Sequence, residues 1–288
     1  MEPQENDRFF WLVKGAFVED WRRSGCLRAP GGEGPLPEWQ DDGASLTKIR
    51  FQTESGGEVD MRARWQSAQG AEAAFWRSWR RNVLYRNTSL ERFWAGVLEK
   101  TGGELLHGYV LDIGCGPVSA LNFYRGEGVR AIGLDPLAKV FADEGLVECR
   151  SGWTPIAMVA LPAEQLPFAD ESLDHLLCFN VLDHVADAPA VLREMRRILK
   201  PGGTVRIYVH TFSKWIKNWL FFDRPHTYHW DHREFRTLVE NAGFGVVGEL
   251  MEPKTFQIPK RRLGRVRYFP YWVATKVSAT SYFQLRKP

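Results

Sequence analysis

From about residue 107 the chain alternates short apolar runs with amphipathic stretches of about ten residues, and this restricts the fold more than any other feature. Tyr109–Ile113 reads as a strand, Ser119–Gly126 as a helix after a glycine turn, and Val129–Leu134 as a second strand closed by Asp135-Pro136. Residues 137–144 are helix-like, Ile156–Leu161 is a short apolar run, and His175–Asn180 is a buried strand. Over Pro189–Leu199, Val191, Leu192, Met195, Ile198 and Leu199 form one apolar stripe, so a helix is expected there. Asp187 is placed to cap it, Lys200-Pro201-Gly202-Gly203 stops it, and Thr204–His210 is the next strand. Such an alternation requires right-handed crossovers and yields an α/β fold with a mostly parallel, doubly wound sheet. The segment Val266–Leu285 alternates in strand fashion and is expected to add antiparallel strands at the C-terminal end.

The first hundred residues read differently. Phe9–Trp21 fits a short amphipathic helix, and Ala29–Glu38 is a Pro/Gly linker. Residues 71–99 read as helical, with Phe75, Trp79 and Leu84, then Leu90, Phe93, Trp94 and Val97 at near-helical spacing. The expected division is a Trp-rich, mainly helical extension or lid over 1–104 and a ligand-binding domain over 105–288. Many of the 12 tryptophans fall in the extension, where they either wall a pocket or pack the extension onto the core.

In doubly wound sheets, ligands gather beyond the carboxyl ends of the strands, where strand order reverses. That rim receives Asp112–Gly116, Asp135, Asn180–His184 and the segment after His210. A GxG pair alone is weak evidence for any nucleotide, and position 119, where GxGxxG needs glycine, is Ser. Asp112 discriminates. A pyrophosphate seated at a helix N-terminus would be repelled by a carboxylate two residues before the first glycine, whereas a cationic ligand would be attracted. Asp135, at the end of the second strand, is placed to accept both hydroxyls of a ribose. A nucleoside with a cationic tail meets these demands, and S-adenosylmethionine (SAM), with its sulfonium and α-ammonium, is one. A nicotinamide cofactor is disfavoured.

Four stretches in order, VLDIGCGPV (Val110–Val118), GLDPL (Gly133–Leu137), LPAEQLPFADESLDH (Leu161–His175) and LCFNVLDHVADAPAVLREMRRILKPGGTVRIYV (Leu177–Val209), resemble the class I SAM-dependent methyltransferases, specifically the group labelled type 11. The resemblance covers residues 105–250 and implies a Rossmann-like doubly wound sheet. It assigns Asp112, Gly114, Cys115 and Gly116 to the methionine part of SAM, and Asp135 to the ribose with Pro136 near the adenine. Ala163 and Glu164 would edge the adenine ring, and Asn180 and Val181 would close the site near the sulfonium. Val118 stands where the family has a third glycine, and Pro162 where an Asp often precedes the Ala-Glu pair. The product would be S-adenosylhomocysteine (SAH), and no metal is expected.

Methyl transfer from an activated sulfonium asks mainly for positioning, water exclusion and a base when the acceptor carries a proton. The candidate bases are His184, in NVLDH, and His226 and His229 in the run HTYHWDH (His226–His232). The three histidines of that run lack a Cys or Glu completing a zinc set, and Asp231 with Glu234 reads instead as a capping box for a helix over 232–242, ended by Gly243. Residues 211–232 would build the acceptor pocket, with Trp215, Trp219, Tyr228 and Trp230 as walls, suiting an aromatic or apolar small molecule.

Other readings have weaker support. From Lys254 to Pro288 there are nine Lys/Arg and no acidic residue, which is a solvated face or a surface for an anionic partner. A nucleic-acid methyltransferase would carry an N/D-P-P-Y/F element or a Pro-Cys nucleophile pair, and neither is seen. A catalytically silent subunit of the same fold would have no need of Asp112, the GxG and Asp135 together. The four cysteines form no CxxC pair, which suits a reducing, cytoplasmic compartment. No apolar stretch approaches the ~20 residues of a membrane span, and the polar start reads as no signal peptide. Monomer and homodimer are not distinguished.

Overall fold

The computed structural model describes residues 9–30, 37–41, 43–51, 70, 72–78, 90–102, 105–124, 126–147, 154–214, 227–253 and 277–288. Among these residues ten strands form one sheet: β1 (Phe9–Val13), β2 (Glu38–Gln40), β3 (Leu46–Arg50), β4 (Gly108–Ile113), β5 (Val129–Leu134), β6 (Ala157–Ala160), β7 (Leu173–Phe179), β8 (Leu199–Phe212), β9 (Gly245–Pro253) and β10 (Ser278–Arg286). The helices are α1 (Val18–Ser24), α2 (Leu90–Lys100), α3 (Ala138–Asp143), α4 (Ala188–Ile198) and α5 (His232–Asn241), with further helical residues over 72–78.

The spatial order is β2-β3-β1-β6-β5-β4-β7-β8-β10-β9. Strands β6, β5, β4, β7 and β8 are parallel, and β10 runs antiparallel between β8 and β9. After β4 the chain moves outward through β5 and β6, then returns to the other side of β4 with β7. The order therefore reverses at β4, and a crevice opens beyond its carboxyl end.

Side-chain alternation divides the interior between the two faces of the sheet. Leu111 and Ile113 of β4 join one cluster with Val191, Leu192 and Met195 of α4 and Phe235 and Val239 of α5. Val110 joins the other with Val97 of α2, Phe141 of α3 and Leu177 of β7. Asp112 shares the face of Val110.

Helix α4 forms as its sequence dictates. The Asp187 side chain accepts the Ala190 N–H at 2.9 Å, Pro189 lies in the first turn, and Val191, Leu192, Met195 and Ile198 are fully buried. Burying each of these side chains contributes roughly 1.5–3 kcal/mol. In α5, Asp231 and Glu234 form the reciprocal capping box, and Gly243 follows at φ +86°.

Three expectations are corrected. Phe9–Trp21 is not one helix but strand β1, a turn and the seven-residue α1. Phe10 and Leu12 enter the core while β1 pairs with β3 and β6, so period two prevails over the helical pattern. The extension expected to be mainly helical thus contributes β1, β2 and β3 to the same sheet. Among its described residues, Ser119–Gly126 contains only a short 3-10 turn, Ala120–Asn122. Its residues are held by other bonds: Ser119 to Asp112, and Asn122 Nδ2 to the Thr154 carbonyl at 2.7 Å.

Strand β8 also starts earlier than expected, at Leu199, and runs through the Pro-Gly-Gly stretch. Of the expected helix over 71–99, residues 72–78 and α2 are helical, and 79–89 lie outside the described residues. Strand β10 is antiparallel as expected, whereas 254–276 lie outside.

The capping box on α5 yields a direct check. Asp231→Ala should lower stability by about 1 kcal/mol, read as a lower urea midpoint with unchanged slope. An unshifted midpoint would mean that the cap contributes nothing.

Candidate functional site: a carboxylate-lined rim

At the end of β4 the chain turns sharply. Gly114 has φ +65° and Gly116 φ +59°, in the left-handed region that favours glycine. The Gly114 and Cys115 N–H groups donate to the Leu134 carbonyl at 2.6 and 3.1 Å, fixing the turn to the end of β5. A Cβ on Gly114 would meet Val181 Cγ2 at 2.3 Å, so space and conformation both demand glycine.

Two carboxylates are buried beside this turn. Asp112, 2% exposed, accepts hydrogen bonds from Ser119 Oγ and the Ala120 N–H. Burial pushes its pKa up to about 7, those two hydrogen bonds oppose the shift, and the Asp135 charge adds to it. Asp135, 8% exposed, accepts the Gly116 N–H on Oδ2 at 3.0 Å and the Leu137 N–H on Oδ1 at 2.8 Å. Burial pushes it up to about 6, and the nearby charge of Glu72 adds to the rise. Cys115, between the glycines, is buried; burial and then the two aspartates raise its thiol well above the ordinary value, so the thiolate is suppressed.

The other predicted rim residues gather as the topology requires. Pro136 is half-buried directly after Asp135. Ala163 is buried, and Glu164 Oε1 accepts the Ala186 N–H at 2.8 Å, tying this loop to the start of α4. The Glu164 carboxylate is thus engaged in holding the fold. Asn180 adopts φ +60° at the end of β7, donates its N–H to the Tyr208 carbonyl at 2.9 Å, and has a buried Oδ1 with no hydrogen-bond partner among the described residues. A buried acceptor without a donor fits a ligand that brings one.

The second cluster lies beyond β7 and β8. His184 Nε2 is 3.9 Å from Asp183 Oδ1, and the His184 N–H donates to the Val181 carbonyl at 2.9 Å. The Thr227 and Tyr228 N–H groups donate to the Asp183 carbonyl at 2.7 and 3.3 Å, which anchors the loop leading to α5. His229 packs edge-on against Phe212 at 5.3 Å and lines a surface groove with Lys214, Thr227, Arg233 and Thr237.

Tyr228 and Trp230, expected as pocket walls, stack on each other at 4.9 Å; the Tyr228 hydroxyl donates to the Ala186 carbonyl at 2.9 Å, and Trp230 packs edge-on against Phe235. Packing accounts for both, although each still borders the groove. Trp215, Trp219 and His226 lie outside the described residues. Among the described residues no group of three His, Cys, Asp or Glu side chains could hold a metal ion, and no helix is long and apolar enough to cross a membrane.

Sequence reasoning missed three contributors. In the sequence Ser119 reads as a missing glycine and a helix start, yet its hydroxyl holds Asp112. Trp76 lies over Gly116, and Glu72 acts on Asp135. The helical spacing of 71–99 was visible, but nothing local said which face met the rim.

Strand order places the glycine turn and the buried carboxylates at the switch point of a doubly wound fold, where such folds bind their ligands. Residues 111–207 match the family model described as a methyltransferase domain. The ubiquinone biosynthesis O-methyltransferase of Sodalis glossinidius is 32% identical over 124 residues, which are 43% of this chain and 49% of that protein. The thiol S-methyltransferase TMT1B of Homo sapiens is 29% identical over 157 residues, 50% of this chain and 63% of that protein. This chain therefore spans about half the length of the first of these curated relatives and under two thirds of the second. The solved structure of Haemonchus contortus phosphoethanolamine N-methyltransferase 2 in complex with SAM shares the fold, with a TM-score of 0.54 at 17% identity over 84% of this chain and 63% of that one. Over residues 111–207, from β4 into β8, the chain is thus similar to methyltransferase domains.

The residues present fit SAM as the bound group. Two buried carboxylates, a glycine turn and the Asn180 Oδ1, which has no hydrogen-bond partner among the described residues, match a ligand carrying an ammonium, a sulfonium and a ribose.

The raised carboxyls make stability depend on pH. A carboxyl whose folded pKa lies above its unfolded value contributes stability that is complete below the unfolded pKa and lost as pH rises through the folded one. For Asp112 the window runs from about 4 to about 7. Without ligand, the stability of Asp112→Asn relative to wild type should therefore rise across that window, read from urea unfolding at stepped pH. A flat difference would contradict the burial of Asp112.

Proposed function

We propose that the chain is a methyltransferase that moves the SAM methyl group onto a small-molecule acceptor. The observation that carries this reading is the pair of buried carboxylates, Asp112 and Asp135, flanking a glycine turn at the point of strand reversal. In this assignment Asp112 and the Asn180 oxygen receive the ammonium end of the ligand. The bare backbone of Gly114, Cys115 and Gly116 lies along its methionine part. Asp135 receives the ribose, Pro136, Ala163 and the backbone of Glu164 border the adenine, and Val181 with Asn180 lies near the sulfonium.

When bound, SAM supplies an activated methyl group, which an acceptor lone pair takes in line while SAH departs as a neutral thioether. The protein contributes alignment and exclusion of water, with a histidine taking the acceptor proton where there is one. His229, on the groove-lining loop, and His184, beside the rim, are the candidates among the described residues; His229 is favoured because it faces the groove beyond β8. Lys214 and Arg233 line the same groove together with Asp231 and Glu234, so its charge is balanced and suits a polar acceptor of no fixed sign. Relatives named for oxygen and for sulfur methylation support a small acceptor without choosing its atom.

Calorimetry should detect binding of SAM and SAH, and Asp135→Ala should weaken both about tenfold or more, as loss of a charged hydrogen-bond acceptor implies. Unchanged affinity would refute the ribose assignment. A SAM-consumption screen against phenols, amines and thiols identifies the acceptor class. On that acceptor, His229→Ala should lower turnover by about 100-fold or more, as loss of a general base does, and His184→Ala should largely retain it; the reverse result would transfer the role to His184.

A further inference from the structure

The N-terminal extension reaches the glycine turn through the helical segment 72–78. Ala73, 6% exposed, belongs to the same apolar cluster as Cys115 and Phe141. The Trp76 indole meets Phe141 edge-on at 6.2 Å. Its Cζ2 and Cη2 atoms stand 3.0 and 3.3 Å from the position a Cβ on Gly116 would take. Arg77 grips Glu144, just after α3, through Nε and Nη2, the Nε–Oε2 distance being 2.8 Å. Both partners of that pair are substantially exposed, so it orients the segment more than it stabilises it.

Glu72 precedes Trp76 by one helical turn and shares its face. The Gly116 N–H donates to Asp135 Oδ2 at 3.0 Å, so a helix face resting on Gly116 carries Glu72 to the side of Asp135. The charge of Glu72 is felt there, adding to the effect of burial on the Asp135 carboxyl. A third carboxylate next to two buried ones is unfavourable unless something donates to it. Asp135 spends one acceptor position of each oxygen on a backbone N–H. A carboxylate has about four such positions, which leaves one per oxygen. A ribose diol brings two O–H donors into this space.

We propose that segment 72–78 completes the cofactor site, with Trp76 covering the glycine turn at Gly116 and Glu72 sharing the ribose diol with Asp135. This rests on the methyltransferase reading above. The indole excludes water from the turn and shields the ligand contacts of Asp112 and Asp135, which strengthens them. Glu72 accepts one hydroxyl of the diol while Asp135 accepts the other, and specificity for an intact ribose follows.

The test is calorimetry on the full chain with two probes, SAH and its 2′,3′-dideoxy analogue, against wild type, Glu72→Gln and Trp76→Leu, each shown to be folded by its melting curve. Glu72→Gln should weaken SAH binding about tenfold, the loss expected for one hydrogen bond to a charged group, and leave the dideoxy analogue unchanged. Trp76→Leu should weaken both probes about tenfold or more. Unchanged or tighter SAH binding by either variant overturns the proposal, as does an equal loss on both probes for Glu72→Gln. Wild type that fails to bind SAH overturns the methyltransferase reading and this proposal with it. Wild type that binds SAH while both variants match it overturns this proposal alone.

Discussion

A carboxylate is buried at the end of the central strand, and the rest of the site is arranged around it. Asp112 occupies the last position of β4 on the face of Val110, beside its β7 partner Leu177. One hydroxyl and one backbone N–H satisfy part of its hydrogen-bonding capacity, yet its pKa still rises to about 7. The bonds therefore do not offset the loss of water. Asp135, reached across the glycine turn, has the same difficulty with two backbone donors. A ligand that sets a cationic end against Asp112 and a ribose diol against Asp135 relieves both at once. The same burial that makes ionised carboxylates unfavourable in this rim selects a cation over a pyrophosphate.

The topology sets this conflict where it is useful. Because strand order reverses at β4, the carboxyl ends of β4, β5 and β7 splay around a crevice, and Asp112, Asp135 and Asn180 arrive there from three strands. Gly114 lets Val181 approach, and Gly116 lets Trp76 approach, so the turn is pressed from both sides. The extension is part of this same body: β1 pairs with β6, and Trp21 packs against Phe168 and Tyr109. Sheet and site therefore both draw on residues from the first hundred.

Local signals made much of this legible. Asp112 and the glycine pair were readable because charge and backbone freedom are properties of single residues, and their place at a strand end follows from alternation. Helix α4 was readable because its cap, proline and stripe lie within a dozen residues. What failed depended on distant partners. Phe9–Trp21 carries apolar residues that suit either period, and β6, lying far along the chain, decides for the strand. Ser119 and Asn122 are drawn away from a helix by Asp112 and Thr154. Tyr228 and Trp230 looked like pocket walls, but the Tyr228 hydroxyl is bound to the backbone before α4. Which face of 72–78 meets Gly116 is likewise a tertiary fact.

The most direct measurement of the central claim is the proton balance of SAM binding, from calorimetry at pH 6.5 in buffers of different ionisation enthalpy. A cation bound against Asp112 and ribose hydroxyls donating to Asp135 both favour the ionised carboxylates, so SAM binding should release protons to the buffer. Release should fall away by pH 8.5, where both carboxyls are already ionised. Binding with no proton release at pH 6.5, or with uptake, would contradict the assignment of these buried carboxylates to a cationic ligand.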